Sequence, residues 1–313
     1  MTHHPDSSLG ELLTALKARN YRFVTPTPAT HARIVARPDR REARSLADVL
    51  GWSLPFAPDL LDADIRRLLD AAGALEEAEG GLLRSCYRVS SLHDQLYIHS
   101  AFPTDAEDSV FFGPDSYRFA DAIVAELEGC PRRHGAQIVD IGTGAGVGAI
   151  VTATRCPDAS VVMTDVNPRA LRLARINARA AGVEAQPLLG ADLTGVEGEI
   201  DVALANPPYI IDEAGRTYRD GGGMHGGEVS LDMARMALPR LAPGGRFLLY
   251  TGSAIVRGED ELHQALIALA GDHGMSLRYR EIDPDVFGEE LETEAYADVD
   301  RIALVTAVVT RPD

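Results

Sequence analysis

Apolar, strand-like runs alternate with helix-like patterns from about residue 117 to the end of the chain. The predicted strands lie at 137–141, 160–164, 185–189, 200–205 and 246–250, and predicted helices lie between them, as at 168–181, 230–241 and 260–270. Strands that alternate with helices specify a parallel sheet covered on both faces, so this pattern predicts an α/β fold. The last two predicted strands, 277–282 and 301–310, have no helix between them. They predict a terminal hairpin and therefore one antiparallel strand.

The first 110 residues follow a different plan. Apolar residues recur at helical spacing in 9–20, 45–51 and 59–72, and Ser45 is placed to cap the second of these helices. The proline-broken segment 24–30 is predicted as a turn or linker, and short strands are predicted at 82–88 and 96–99. Helices followed by a small hairpin resemble a winged-helix module in topology. We therefore expect an N-terminal domain, 1–110, that serves substrate docking or homodimerisation, and a catalytic domain, 111–313.

Length and composition suit a globular protein of two domains, with 313 residues, 45% hydrophobic and 25% charged. The sequence has no run of about 18 apolar residues and no basic-then-apolar N-terminus, so we expect neither a membrane span nor a secretory signal. The three cysteines, Cys86, Cys130 and Cys156, are isolated. Isolated cysteines argue against a disulfide framework or a metal site and suit the cytoplasm.

The charge is strongly acidic, with a formal net value of −17. A protein that grips a long nucleic-acid backbone usually presents a basic surface instead. One stretch, 17–44, nevertheless carries eight basic residues against Asp39 and Glu42. It is either a solvated surface or a local patch for an anionic partner, and the sequence leaves both interpretations open.

A glycine-rich turn follows the first strand of the alternating region, in the order Asp140-Ile-Gly142-Thr-Gly144-Ala-Gly146. Such a turn allows a ligand to approach the backbone at the carboxyl edge of the sheet. The spacing also satisfies a dinucleotide fingerprint. However, an acid at Asp140 would repel a pyrophosphate and suits a cationic amino-acid moiety. The turn therefore favours a cofactor with such a group.

Two acids follow the next two strands. Asp165 comes 19 positions after Gly146, where a carboxylate can accept both hydroxyls of a ribose, although it could also cap the helix that begins near Pro168. Asp192 follows the third strand, where it could accept from an adenine amino group or be an ordinary loop residue. We favour the cofactor role for both.

The fourth strand runs into Asn206-Pro207-Pro208-Tyr209, the most specific motif of the sequence. Two prolines make a rigid loop that keeps its carbonyl acceptors, and the Asn206 side-chain oxygen adds another. Acceptors beside an aromatic ring can hold both N–H bonds of an amide or amino group and stack its plane on Tyr209. The nitrogen lone pair would then face a methyl-sulfonium, and no strong base is needed.

Together these motifs resemble the class I methyltransferases with an Asn-Pro-Pro-Tyr motif, a group that includes glutamine methyltransferases of release factors and small-domain RNA N-methyltransferases. The resemblance covers roughly 110–313 and implies S-adenosylmethionine as cofactor and a Rossmann-like, seven-stranded sheet with a reversed last strand. It implies that Asn206, Pro207 and Tyr209 orient the substrate. The expected cofactor contacts are Asp140, Gly142, Thr143, Gly144, Gly146, Asp165, Val166, Asp192, Leu193 and Asn206.

Two further stretches are less specific. Phe112 and Tyr117 precede the first helix, where the family has a loop over the cofactor, so we expect them to help close the pocket. The glycine-rich segment 220–228 is either a lid or a plain connector. His225 within it is expected to be a solvated loop residue.

We therefore predict an S-adenosylmethionine-dependent N-methyltransferase that acts on a planar amide or amino nitrogen of a macromolecule, either a protein glutamine or an RNA base. The first 110 residues do not match the five-helix substrate domain of the release-factor enzymes. The alternatives are a small-molecule N-methyltransferase of specialised metabolism, an S-adenosylmethionine-binding regulator and a nicotinamide oxidoreductase.

Overall fold

A computed structural model describes residues 4–128, 135–212 and 219–313. The N-terminal region contains four helices, followed by two β-hairpins. The helices are α1 (Pro5–Ala18), α2 (Pro28–Val35), α3 (Leu46–Leu50) and α4 (Ala63–Ala71), and the strands are β1 (Leu75–Ala78), β2 (Leu82–Ser85), β3 (Tyr87–Leu92) and β4 (Gln95–Ser100).

Helix α2 was not predicted, because segment 24–30 was expected to be a turn. The Thr27 hydroxyl accepts a hydrogen bond from the Thr30 backbone N–H at 3.2 Å and caps the helix. Pro28 takes the first helical position, where a missing N–H costs nothing. The proline that suggested a turn therefore begins a helix.

The other N-terminal helices agree better with the sequence. Ser45 caps α3 as predicted, by accepting from the Asp48 N–H at 3.2 Å. Helix α1 begins four residues earlier than expected, with Pro5 in its first turn. Helix α4 begins four residues later than expected, because Asp62 rather than Asp59 precedes its first turn.

Helices α3 and α4 precede the β1–β2 hairpin, and the winged-helix resemblance of this region stays a prediction. Strands β1 and β2 pair antiparallel, and Phe56 forms an isolated bridge to Leu83 in β2. The predicted strand 82–88 is in fact divided, because β2 ends at Ser85 and β3 pairs with β4 in a separate hairpin. The functional division of the chain at residue 110 stays a prediction.

The remaining elements form the predicted α/β region. Its helices are α5 (Pro114–Glu128), α6 (Val147–Ala153), α7 (Pro168–Ala180), α8 (Glu228–Ala237) and α9 (Glu261–Asp272). Its strands are β5 (Gln137–Ile141), β6 (Ser160–Asp165), β7 (Gln186–Leu189), β8 (Ile200–Ala205), β9 (Leu241–Val256), β10 (Glu259–Asp260), β11 (Ser276–Asp283) and β12 (Arg301–Thr310).

The central sheet has the order β11-β12-β9-β8-β5-β6-β7, with the two-residue β10 paired only to β9. Strands β5 to β9 run parallel, whereas β12 lies antiparallel to both β9 and β11. The sequence-based prediction of a seven-stranded sheet with one reversed strand is confirmed. Because the parallel strands share a direction, the loops after β5, β6 and β8 meet at one edge of the sheet.

The N-terminal region packs on α7. The buried Asn177 side chain donates to the carbonyls of Ile98 (3.0 Å) and Ala145 (2.9 Å) and accepts from the Ile98 N–H at 2.8 Å. Asp6 of α1 forms ion pairs with Arg172 and Arg175 at 2.6 and 3.1 Å. One amide side chain thus connects the β3–β4 hairpin to the glycine-rich turn.

Within the described residues, no helix combines the length and the apolar character that crossing a membrane requires.

Candidate active site

A cavity of about 1280 Å³ opens at the carboxyl edge of the sheet. The loops after β5, β6 and β8 form its floor, and the start of α5 forms part of its wall. Residues of α2, of 102–105 and of 283–289 surround its outer part. The cavity is therefore shared between the N-terminal region and the α/β region.

The glycine-rich turn presents bare backbone to this cavity. Gly142 and Gly144 line it and have positive φ values of 67° and 53°, which L side chains rarely adopt. A Cβ added at Gly144 would meet no atom within 4 Å, so it would take up open space in the cavity. Gly146 also has a positive φ, 87°, but does not line the cavity. Its added Cβ would lie 3.2 Å from the Ala174 side chain, so this glycine permits close helix packing.

Asp140 supports the turn from beneath. Its side chain is buried, and one oxygen accepts from the Thr143 hydroxyl at 2.6 Å and from the Ala149 N–H at 2.9 Å. A Cβ at Gly148 would lie 2.5 Å from the other oxygen, so the glycine makes room for the carboxylate. Burial raises the pKa of Asp140 to about 6. Asp140 and Thr143 both line the cavity, but their side chains bond to each other.

Asp165 lies at the cavity, and hydrogen bonds orient both oxygens of its carboxylate. One accepts from the Gly144 N–H and the other from the Asn167 N–H, each at 2.9 Å. Burial raises the pKa of this carboxyl group. Asn167, not Asp165, caps α7, by accepting from the N–H groups of Arg169 and Ala170. The structure thus removes the helix-cap explanation for Asp165, and each oxygen keeps a lone pair for another donor.

The expected adenine contacts lie elsewhere. Asp192 is exposed and accepts from the Thr194 N–H at 2.8 Å, so it forms a local turn and does not line the cavity. Leu193 is buried in the core beneath the sheet edge. Gly190 and Ala191 line the cavity instead, and the exposed Val166 lines it as predicted.

The reaction motif also lines the cavity. Asn206 is half-buried and lines the cavity together with Pro207, Pro208 and Tyr209. Within the described part of the chain, neither the Asn206 side chain nor the Pro207 carbonyl accepts a hydrogen bond. The motif therefore offers two acceptors to the cavity.

Tyr209 is held by a buried carboxylate that sequence reasoning missed. Its hydroxyl donates to Asp115 at 2.9 Å, and the Tyr250 hydroxyl donates to the other oxygen of Asp115 at 3.0 Å. Burial raises the pKa of Asp115, although both hydrogen bonds act in the opposite direction. The Tyr209 ring packs on Gly252, where an added Cβ would lie 2.2 Å from it, and meets Phe287 edge-on at 5.7 Å. The only sequence signal for Asp115 was its place in the first turn of a helix that precedes the first strand.

The two aromatic residues expected to close the pocket do not line it. Phe112 is fully buried and packs on Tyr97 and His99. Tyr117 packs on Phe112, and its hydroxyl accepts from the Thr25 N–H at 3.0 Å. Phe111 lines the cavity instead, because alternate residues of the extended chain before α5 point to opposite sides.

Segment 220–228 packs against the reaction motif. Gly221 donates to the Ile210 carbonyl at 2.8 Å, and Gly226 lies so close to the reaction motif that a Cβ there would be 2.3 Å from the Tyr209 carbonyl oxygen. His225 does not contact the cavity. Its side chain is 26% exposed and hydrogen-bonded to the exposed Asp298 at 3.1 Å.

Comparisons with known proteins agree with this arrangement. Residues 120–257 match the family model described as methyltransferase small domain. The chain is 36% identical over 134 residues to the release factor glutamine methyltransferase of Deinococcus radiodurans, covering 39% of this chain and 48% of that protein. It is 37% identical over 83 residues to the ribosomal RNA small subunit methyltransferase C of Hahella chejuensis, covering 26% of this chain and 24% of that protein. The chain thus spans about half the length, or less, of these two relatives.

A solved structure shares the fold. The crystal structure of Trm5b from Pyrococcus abyssi matches with a TM-score of 0.50 and 14% sequence identity, over 80% of this chain and 68% of that one. Taken with the sheet order and the family match, this likeness gives the fold of the α/β region. Residues 120–257 are therefore similar to the methyltransferase small domain, and the α/β region shares the fold of this solved structure.

Proposed function

We propose that this protein is an S-adenosylmethionine-dependent N-methyltransferase that modifies a planar amide or amino nitrogen of a macromolecule. The observation that carries the proposal is one shared cavity. It contains the exposed backbone of the glycine-rich turn, the oriented carboxylate of Asp165 and the unpaired acceptors of Asn206 and Pro207.

The residues of the turn fit the cofactor. Open space at Gly144 leaves room for a ligand close to the backbone, and Asp165 has lone pairs for two ribose hydroxyls. The negative charge of Asp140, just beneath the turn, would favour a cationic amino-acid group nearby. When bound, S-adenosylmethionine supplies an electrophilic methyl group.

The chain's own part in the reaction is orientation. The Asn206 side-chain oxygen and the Pro207 carbonyl accept hydrogen bonds from the two N–H groups of the target nitrogen and so fix its plane. The Tyr209 ring limits its position from one side. A nitrogen held by two acceptors becomes more electron-rich, and its proton leaves to water after the transfer. Orientation of this kind accounts for about 7–11 kcal/mol of barrier lowering in favourable intramolecular reactions.

A macromolecular acceptor is supported by two facts. The cavity is wide and open between the N-terminal and α/β regions, which suits a residue presented by a larger partner. By their names, the relatives modify glutamine of release factors and ribosomal RNA. We therefore propose a protein glutamine or an RNA base as the acceptor.

The proposal is tested by methyl transfer from labelled S-adenosylmethionine to separate RNA and protein fractions of a bacterial extract. We expect label to appear in one fraction with the wild-type enzyme and not with Asn206→Ala. Ribonuclease or protease treatment then identifies the acceptor class. Transfer at the wild-type rate by Asn206→Ala, or label only in small molecules, would contradict the proposal.

A further inference from the structure

Four arginines on α2 and in the segment that follows it differ from most other arginines in their surroundings. Most of the other arginines of the described chain form ion pairs, such as Arg19 with Asp64 at 2.6 Å. By contrast, four exposed side chains within twelve residues form no ion pair with any described residue. We call this set the arginine segment, and it consists of Arg33, Arg37, Arg41 and Arg44.

The arginine segment begins at the mouth of the active-site cavity. Ala29 and Arg33, four residues apart on α2, both line the cavity. The cap residue Ala36 keeps helical backbone angles, so Arg37 extends the same row by one further turn. Arg40 belongs to a different environment, because it is paired with Asp48 at 2.6 Å. Exposed arginine charge therefore begins at the cavity with Arg33 and continues along the chain to Arg44.

Acidic side chains also line the cavity. They include Asp105, Asp283, Asp285 and Glu289, and Arg118 pairs with Asp283 at 3.5 Å. A polyanion would be repelled by these carboxylates and attracted to the arginine segment. The arginine segment is thus the surface next to the cavity that favours a phosphate backbone, although the protein as a whole carries a net charge of −17.

Aromatic side chains of the cavity contact both α2 and the reaction motif. Phe102, Phe111 and Phe287 line the cavity. The Phe102 ring lies 4.1 Å from the His31 ring of α2, and the Phe287 ring lies 5.7 Å from the Tyr209 ring. Proteins that bind single-stranded nucleic acid combine a positively charged groove with aromatic rings on which bases stack. A base that entered the cavity from the arginine segment would find such rings beside the reaction motif.

We propose that the arginine segment binds the phosphate backbone of RNA and that an unpaired base of the bound strand enters the cavity. This inference rests on the proposed methyltransferase function and selects RNA over protein glutamine as the acceptor. An acidic protein would also be attracted by the four arginines, but it would not need the aromatic rings that line the cavity. It is therefore the competing outcome of the test.

Fluorescence anisotropy of a labelled RNA hairpin with a single-stranded loop, measured between 50 and 200 mM salt, tests the inference directly. A variant with Arg33, Arg37, Arg41 and Arg44 replaced by Gln (R33Q/R37Q/R41Q/R44Q) should bind about tenfold more weakly or worse, with a salt slope smaller by about 2 to 3. The matched control is R67Q/R179Q/R257Q/R280Q, which removes four exposed, unpaired arginines that do not line the cavity. The control should bind the hairpin as the wild type does.

A labelled polyglutamate peptide of similar charge is the second arm, and S-adenosylmethionine affinity is the third. Equal loss of affinity in both arginine variants, or tighter binding of polyglutamate than of RNA, would overturn the inference. Retained S-adenosylmethionine binding in that case would leave the methyltransferase proposal standing. Absence of S-adenosylmethionine binding in the wild type would instead defeat the proposed function itself.

Discussion

The Tyr209 hydroxyl donates a hydrogen bond to Asp115 over 2.9 Å, joining the reaction motif to a helix 94 positions earlier in the chain. The same carboxylate accepts from Tyr250 at 3.0 Å. The two phenols donate to the two oxygens of one buried carboxylate, and these hydrogen bonds fix the Tyr209 ring. The aromatic wall beside Asn206 is thus positioned by residues outside the motif.

Removing each phenol in turn distinguishes the positioning of the Tyr209 ring from the stability of the fold. Tyr209→Phe and Tyr250→Phe each leave Asp115 with one hydrogen bond fewer, so both should lower the free energy of unfolding by about 1–3 kcal/mol. Only Tyr209 lines the cavity. We therefore expect kcat to fall about tenfold in Tyr209→Phe and little in Tyr250→Phe. Equal kcat values for the two variants would show that Asp115 does not position the ring for the reaction.

Asn206→Ala removes an acceptor for the target nitrogen and leaves the glycine-rich turn intact. We expect kcat to fall at least about 100-fold, the range seen for loss of one oriented catalytic group. The Kd for S-adenosylmethionine, measured by calorimetry, should change little. Asn206→Asp keeps acceptor oxygens in place and should retain more activity than Asn206→Ala. The reverse order would contradict the acceptor role.

Gly144→Ala tests whether the turn holds a ligand. The φ of 53° makes alanine strained by about 1–2 kcal/mol, and the new Cβ would project into the cavity. Gly73→Ala is the matched control, with a φ of 61° and open space around its added Cβ, away from the cavity. Both variants should lose similar stability in thermal unfolding. Only Gly144→Ala should weaken S-adenosylmethionine binding, and equal binding in both would place the cofactor elsewhere.

Asp140 should make the ligand-free protein less stable as the pH rises. Burial raises its pKa from the ordinary 3.8 to about 6 in the folded state. The protonated form is thus favoured by folding, and the stability it gives is present below about pH 4 and lost as the pH rises through about 6. Two pKa units correspond to about 3 kcal/mol at most. Urea unfolding should therefore show a smaller decline from pH 4 to pH 7 in Asp140→Asn than in the wild type.

The matched control for that experiment is Asp192→Asn. The Asp192 carboxylate is exposed and bonded only within its own turn. This variant should decline with pH as steeply as the wild type. An Asp140→Asn profile as steep as that of the control would contradict the assignment of the decline to Asp140.

Sequence periodicity was sufficient to predict the sheet. The two last strands lack a helix between them, and this absence alone predicted the reversed β12. Asp165 lies at the cavity for a related reason, since a residue that ends a parallel strand has its position fixed by the strand; its contact with a cofactor stays a prediction. Both the reversed strand and the position of Asp165 depend on the local geometry of the chain, and a sequence pattern predicts local geometry.

The incorrect expectations depended on side-chain direction or distant contacts. Phe112 and Phe111 are neighbours, and only the backbone path before α5 decides which of them faces the cavity. Asp192 is exposed because the loop after β7 turns on its own hydrogen bond to Thr194. Asp115 was missed because its partners, Tyr209 and Tyr250, lie far along the chain.

Several expectations stay predictions. A homodimer through the N-terminal region and a cytoplasmic location were inferred from composition and topology, as was the role of residues 1–110 in substrate docking. Of the three cysteines, Cys86 is a free thiol in the structure, and Cys130 lies outside the described residues.

Calorimetric titration of the purified protein with S-adenosylmethionine and, separately, with NADH tests the central claim most directly. We predict that the wild type binds S-adenosylmethionine saturably, that Asp165→Ala loses this binding, and that NADH does not bind. Binding of NADH without binding of S-adenosylmethionine would contradict this prediction and would indicate that the glycine-rich turn is a dinucleotide site.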